Sequence, residues 1–143
     1  MHTIFSYVIK YDTGAAPNPF WGICTLTICK PQVRRRADIN DWILGFGSRS
    51  VKTRIGKIDY SSKLVYAMKV TDKQSLAAYD SYCQSRFPAK IPRFGRGDWR
   101  LKVGDCIYDF TTGNTIQRRS VHGKDEMARD LSGKNSLLSN WFV

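Results

Sequence analysis

Asp12, Asn18, Phe20 and Trp21 fall in one turn, Tyr11-Asp12-Thr13-Gly14-Ala15-Ala16-Pro17-Asn18-Pro19-Phe20-Trp21-Gly22. Pro17 and Pro19 each fix φ near about −65° and push the preceding residue towards extended backbone. Asn18, between them, keeps little freedom, and its amide is expected in a preset direction. One carboxylate, one amide and two aromatic faces on a rigid loop suit a flat, hydrogen-bonding ligand such as a nucleobase. The same turn also reads as an Asx-turn with Phe20 and Trp21 as core plugs; the loop alone does not separate the two. His122 is the second candidate, the one internal histidine, with Asp125 and Asp130 close in sequence. An imidazole beside a carboxylate can move a proton near neutral pH. No nucleophile is marked beside it, and a lone histidine is more often a capping or hydrogen-bonding group.

Charge narrows the class of partner. The chain carries 23 Lys and Arg against 12 Asp and Glu, a net charge of +11, with a pI near 9.8. Such an excess concentrates polyanions near the surface and speeds their encounter. Phosphate contacts are expected from Arg34, Arg35, Arg36, Arg49, Arg118 and Arg119. Basic clusters interleaved with Trp42, Phe46, Phe94 and Trp99 fit phosphate contact beside base stacking. A merely soluble basic surface is the plainer alternative. The expected partner is nucleic acid or a nucleotide, not a membrane.

Two glycine motifs fail on inspection. Gly45-Phe46-Gly47-Ser48-Arg49-Ser50 begins like a dinucleotide fingerprint, but Ser50 holds the third glycine position and basic residues follow. Gly45 and Gly47 instead suit close approach of backbone to a ligand or strand, with Ser48 and Arg49 as phosphate donors. Gly133-Lys134-Asn135-Ser136 mimics the end of a P-loop, but Ala128 stands where the first glycine must be.

The four cysteines, Cys24, Cys29, Cys83 and Cys106, form no C-x-x-C pair, and His2 and His122 are the only histidines. Buried reduced thiols are therefore expected, with no disulfide framework, no metal site and no cofactor. No apolar run approaches the roughly 20 residues that span a bilayer. The N-terminal MHTIFSYVIK reads as a strand rather than a signal peptide. A cytoplasmic protein is the simplest expectation.

These residues need elements to hold them. Alternation puts Phe5, Tyr7, Ile9 and Tyr11 on one strand face, and Cys24, Leu26 and Ile28 on another. Asn40-Asp41-Trp42-Ile43-Leu44-Gly45 and Gly104-Asp105-Cys106-Ile107-Tyr108 each read as a turn opening into a strand, and residues 64–71 alternate again. Thr71-x-x-Gln74 has capping-box form before Leu76, Tyr79 and Cys83, so a helix is predicted there, stopped by Pro88 and Pro92. Residues 93–100 read as a flexible basic loop, 124–131 as a short helix, and 135–143 as a closing strand. One domain over residues 1–143 is expected, α+β, its mixed and mainly antiparallel sheet curled into a small barrel with a helix at its side.

The order YDTGAAPNPFWGICTLTICKPQVRRRADINDWILGFGS, then LVYAMKVT, then SVHGKDEMARDL and NSLLSNWF resembles the nucleotide-modification-associated domain of the second type, found in bacteria and their phages. That family is similar to the PUA-like group that contains the EVE, ASCH and YTH domains. The resemblance spans nearly the whole chain. It implies a small β-barrel with flanking helices, a pocket for a base, often a modified one, and a link to DNA base modification and phage–host conflict. An aromatic–glycine ending is expected where the chain has Trp141-Phe142-Val143. Mapped onto this sequence, the pocket residues it implies are Asp12, Asn18, Phe20, Trp21, Lys30, Trp42, Gly47, Ser48, His122, Asp130 and Ser139. The leading expectation is a module that binds a nucleobase, in a bacterial cell or phage-infected host. The alternative is an enzyme of nucleobase modification or removal that uses His122 with Asp130 or Asp12. A third class is a protein-interaction module whose basic face meets an acidic partner.

Overall fold

The computed structural model describes all of residues 1–143. In chain order its elements are β1 (Ile4–Val8), β2 (Tyr11–Asp12), β3 (Cys24–Leu26), α1 (Pro31–Arg36), β4 (Trp42–Phe46), β5 (Val51–Thr53), β6 (Gly56–Ile58), β7 (Leu64–Lys69), β8 (Asp72–Ser75), α2 (Leu76–Arg86), β9 (Tyr108–Asp109), β10 (Ile116–Gln117), α3 (Met127–Ser132), β11 (Asn135–Ser139) and β12 (Trp141–Phe142). Short 3-10 turns cover Pro88–Lys90, Trp99–Val103 and Lys124–Glu126.

The strands form four sheets, β1-β4-β7-β12, β3-β11-β8, β2-β5-β6 and β9-β10. β1–β4 and β2–β5 pair in parallel, and the remaining pairs are antiparallel. The stretch β7–β8 runs against β11–β12 in one register: Ser75 faces Asn135, Asp72 faces Leu138, Lys69 faces Trp141 and Met68 faces Phe142. The offset never changes, so two of the sheets are parts of one ribbon, interrupted at Val70, Thr71 and Asn140. No closed barrel forms. The barrel expectation is met only as far as an α+β chain with mostly antiparallel strands and three helices.

Three apolar clusters hold these layers. The largest gathers Ile9, Leu26, Ile43, Met68, Val70 and Leu137 between the two long sheets. A second packs Ala15, Ile28, Val103, Ile107 and Tyr108 under the prolyl turn. The third joins Tyr79 and Cys83 of α2 to Cys106 and Leu138.

Local chemistry explains where the elements depart from expectation. The helix predicted from Thr71 begins later, because β11 claims residues 72–75 as a sheet partner. Ser75 is the actual N-cap, its side chain accepting from Ala78 N–H at 3.1 Å. The segment around Thr25 is buried on both faces, so its threonines are not solvent-facing. Thr25 Oγ1 donates to Asp105 at 2.6 Å, and the Thr27 and Ser136 hydroxyls pair at 2.5 Å. Tyr11 turns outward, away from the face that alternation assigns it. The basic run Arg34-Arg35-Arg36 forms the last turn of a helix that the alternation does not reveal.

Candidate functional site

Asn18 lies in the interior with no exposed surface. Its Nδ2 donates to the Val103 carbonyl at 2.9 Å. Its Oδ1 and carbonyl oxygen accept from Lys90 Nζ at 2.7 and 2.9 Å. The same ammonium reaches the Ile23 carbonyl at 2.8 Å and Thr25 Oγ1 at 3.2 Å. A buried ammonium is tolerated only when its protons are matched by acceptors. Burial depresses the Lys90 pKa, and Asp105 opposes that shift. Asp105 in turn accepts from Thr25 and from the Tyr79 hydroxyl, the latter at 2.8 Å. The prolyl turn does fix this amide, but it aims it inward at a lysine rather than outward at a ligand.

Phe20 and Trp21 are half-buried, Phe20 packing against the second apolar cluster, and both meet the 3-10 turn that follows Asp98. The Phe20 and Trp99 rings meet edge-to-face, 5.3 Å apart at 84°. Arg54 lies over the Trp99 ring at 3.7 Å, and Arg100 over Trp21 at 4.9 Å. Arg119 covers Phe94 at 4.4 Å. Arginine-capped aromatic faces are surfaces on which bases also stack.

The phosphate candidates divide. Arg34 is fully buried. Its guanidinium donates to the carbonyls of Cys29 at 2.7 Å, Asn135 at 2.9 Å and Asp130 at 2.6 Å. Gly133 makes room for it, since any Cβ there would collide with the guanidinium. Arg118 is also held internally, 2.8 Å from Asp80 and 3.2 Å from Asp109. Both are corrected from phosphate contacts to fold residues. Arg35, Arg36, Arg49 and Arg119 stand at the surface.

Folding brings His122 and Asp130 side by side, with His122 Nε2 2.7 Å from Asp130 Oδ2. The same Oδ2 accepts from the Tyr108 hydroxyl at 2.8 Å, and Oδ1 accepts from Cys29 N–H at 2.7 Å. Burial alone would raise this carboxyl, but His122, Tyr108 and the Cys29 N–H outweigh it and hold its pKa below the usual range. Cys29 is half-buried rather than buried, and burial followed by the Asp130 charge pushes its thiol pKa up. Asp12 lies in a different cleft, of about 270 Å³, with Tyr60, Lys63, Leu64 and Val65. Burial raises its carboxyl pKa.

The remaining candidates have mixed roles. Lys30 Nζ sits 4.2 Å above the Tyr7 ring. Gly47 is packed so closely on the Tyr60 backbone that a side chain there would clash, and Ser48 Oγ donates to the Ile9 carbonyl at 3.1 Å. The Gly47 approach is therefore to a neighbouring segment of backbone, not to open space. Trp42 lines a cleft of about 170 Å³ together with Asn40, Lys69, Thr71 and Trp141. Register explains the grouping: Lys69 on β7 faces Trp42 on β4 and Trp141 on β12, so two indoles flank one lysine. Buried Ser139 holds the second indole's backbone, accepting from Trp141 N–H at 3.0 Å and donating to its carbonyl at 2.6 Å. The sequence marks Trp42 and Ser139 but places Trp141 only in the closing strand; the structure leaves it 68% exposed. Asn40 and Lys69 escape a reading of the sequence, although the alternation of 64–71 puts Lys69 and Met68 on opposite faces.

The family model of nucleotide modification associated domain 2 matches residues 1–143. The chain belongs to that family. No curated protein and no solved structure matches it. Membership in the nucleotide modification associated domain 2 family links the chain to nucleotide modification. No helix is long and apolar enough to cross a membrane.

Proposed function

We propose that this nucleotide-modification-associated domain is a binding module for a nucleobase, modified bases included, of the kind that PUA- and EVE-like readers represent. The observation that carries the reading is the cleft in which Trp42 and Trp141 flank Lys69. The two strands that bear the indoles are two strand intervals apart, about 9.5 Å. A flat base stacked between them needs two van der Waals gaps, about 7–8 Å. Lys69, whose strand lies between the two that carry the indoles, supplies a cation for a base carbonyl or a phosphate, and Asn40 and Thr71 supply polar edges. Arg35 and Arg36, exposed at the end of α1, precede Asn40 by a few residues and suit the flanking phosphates. The net charge of +11 supports a polyanionic partner.

Titration of tryptophan fluorescence with canonical and modified nucleotides and short oligonucleotides tests the reading. Trp141→Ala is the informative variant, because its ring is largely exposed and its loss should spare the fold. Affinity should fall by about 1–3 kcal/mol, the worth of one base stack. Equal binding by the variant and the parent would remove the cleft from the site.

A second reading, an enzyme of base modification or removal, is favoured by one contact, His122 against Asp130 at 2.7 Å. Product formed from a bound nucleotide, and lost in His122→Ala, would select it.

A further inference from the structure

Cys29 comes from a part of the chain far from His122 and Asp130, yet one ligand-capable atom of each of the three lies within 4.8 Å of the other two. Asp130 is buried beneath, while Cys29 and His122 are half-buried above it. The carboxylate is already oriented, by the Tyr108 hydroxyl on Oδ2 and the Cys29 N–H on Oδ1. Arg34 stands behind it at 3.8 Å. This is the arrangement of outer partners that orients a metal-binding carboxylate.

The imidazole is aimed into the same cluster. His122 Nε2 is covered from solvent and lies 2.7 Å from Asp130 Oδ2, with no other hydrogen-bond partner. An imidazole held only by this carboxylate can turn the same nitrogen to a cation that both would share.

We propose that Cys29, His122 and Asp130 form a binding site for a divalent cation of the zinc class, with a fourth coordination position left to water or a ligand. The donor set decides the class. A thiolate sulfur with an imidazole nitrogen and one carboxylate oxygen suits zinc and its borderline neighbours, whereas magnesium and calcium take all-oxygen shells. Bond lengths of about 2.0–2.3 Å in a tetrahedron put donor atoms about 3.3–3.8 Å apart. To reach that, Cys29 Sγ must close in from within 4.8 Å, and His122 Nε2 must draw back by about half an ångström or more from Asp130 Oδ2, now 2.7 Å away. Binding converts the Cys29 thiol to a metal-bound thiolate and releases its proton to solvent, while His122 binds as the neutral imidazole. Three protein ligands with an open position is the pattern of a catalytic rather than a purely structural zinc site. The site is independent of the tryptophan cleft, with which it shares no residue.

Cobalt(II) is the probe, added without nucleic acid to protein stripped with a chelator. The expected result is one equivalent bound, with a thiolate-to-cobalt charge-transfer band and the intense visible bands of a tetrahedral ion, both removed by zinc. Cys29→Ser should abolish the charge-transfer band while leaving Cys24, Cys83 and Cys106 in place. His122→Ala should weaken cobalt binding by about tenfold or more, and Tyr108→Phe by about 10–100-fold, the usual cost of removing an outer partner. Circular dichroism identifies which variants fold, and His122→Ala, on a half-buried loop residue, decides if Cys29→Ser does not. Absence of the thiolate band in the parent protein, its persistence in Cys29→Ser, or unaltered affinity in a folded His122→Ala overturns the proposal and leaves only a histidine–aspartate contact.

Discussion

Lys90 Nζ sits 2.7 Å from Asn18 Oδ1 and 2.9 Å from the Asn18 carbonyl, so the prolyl turn is pinned to an interior ammonium. Asn18→Ala removes an acceptor from that buried charge and a donor from the Val103 carbonyl. Stability should drop by about 1–3 kcal/mol, the cost of leaving buried polar groups unmatched. Thermal unfolding followed by circular dichroism reads this directly. Nucleotide affinity of the folded fraction should stay the same, because the amide faces inward. A variant that melts like the parent would mean that the lysine finds other acceptors.

The three arginines of α1 should behave in opposite ways. Arg34→Ala strips a buried guanidinium that makes three hydrogen bonds and leaves the three carbonyls it serves unmatched. It should cost about 3–5 kcal/mol, as for one partner of a buried charge network. Arg35→Ala with Arg36→Ala should leave melting unchanged, since both side chains are exposed. The double variant should instead weaken oligonucleotide binding and flatten its salt dependence, by about 0.7–0.9 in log–log slope for each phosphate left without its arginine. A salt slope equal to the parent's would remove these two arginines from the interface.

Acid unfolding should report Asp130. Its folded pKa lies below the ordinary carboxyl range, whereas the unfolded chain titrates near about 3.9. Below that value the unfolded state takes up the proton more readily than the folded one, so stability falls with falling pH. The contribution is complete above about pH 4 and disappears as pH drops through the depressed folded pKa. Denaturant midpoints for parent and Asp130→Asn, both in chelator, should differ at about pH 6 and converge towards about pH 2. A constant gap across that range would show that the carboxylate's charge contributes nothing.

Strand positions and part of the core are legible where alternation is strong. Ile43 lies buried in the strand that follows its turn, and Met68 is buried on the face that the alternation of residues 64–71 gives it. The start of α2 is not legible, because a capping box at Thr71 competes with a sheet partner that lies far off in sequence, and the partner wins. Nor can a run of three arginines show which one turns inward. Successive helical residues point about 100° apart, so a basic run on a helix always mixes faces. The candidate sites are legible only in part. His122 and Asp130 are visible as neighbours in sequence, but Cys29 joins them across about a hundred residues through its N–H bond to Asp130, a separation of 101 positions. Trp42 and Trp141 meet only because the same β7 lysine faces both. Such encounters depend on sheet order, which no local pattern encodes.

Ser139 offers the finest test of the tryptophan cleft. It is buried, and both of its side-chain hydrogen bonds go to the backbone of Trp141. Its influence on a ligand should therefore pass through the indole's placement. Ser139→Ala should lower nucleotide affinity by less than Trp141→Ala does, at a stability cost of about 1 kcal/mol for the missing hydrogen bonds. In the Trp141→Ala background the same change should do nothing further to affinity, because there is no ring left to position. Residues that act through one another give such non-additive cycles, with coupling energies of about 0.5–3 kcal/mol. Four binding titrations complete the cycle. Strict additivity would place Ser139 outside the site and assign its burial to the fold alone.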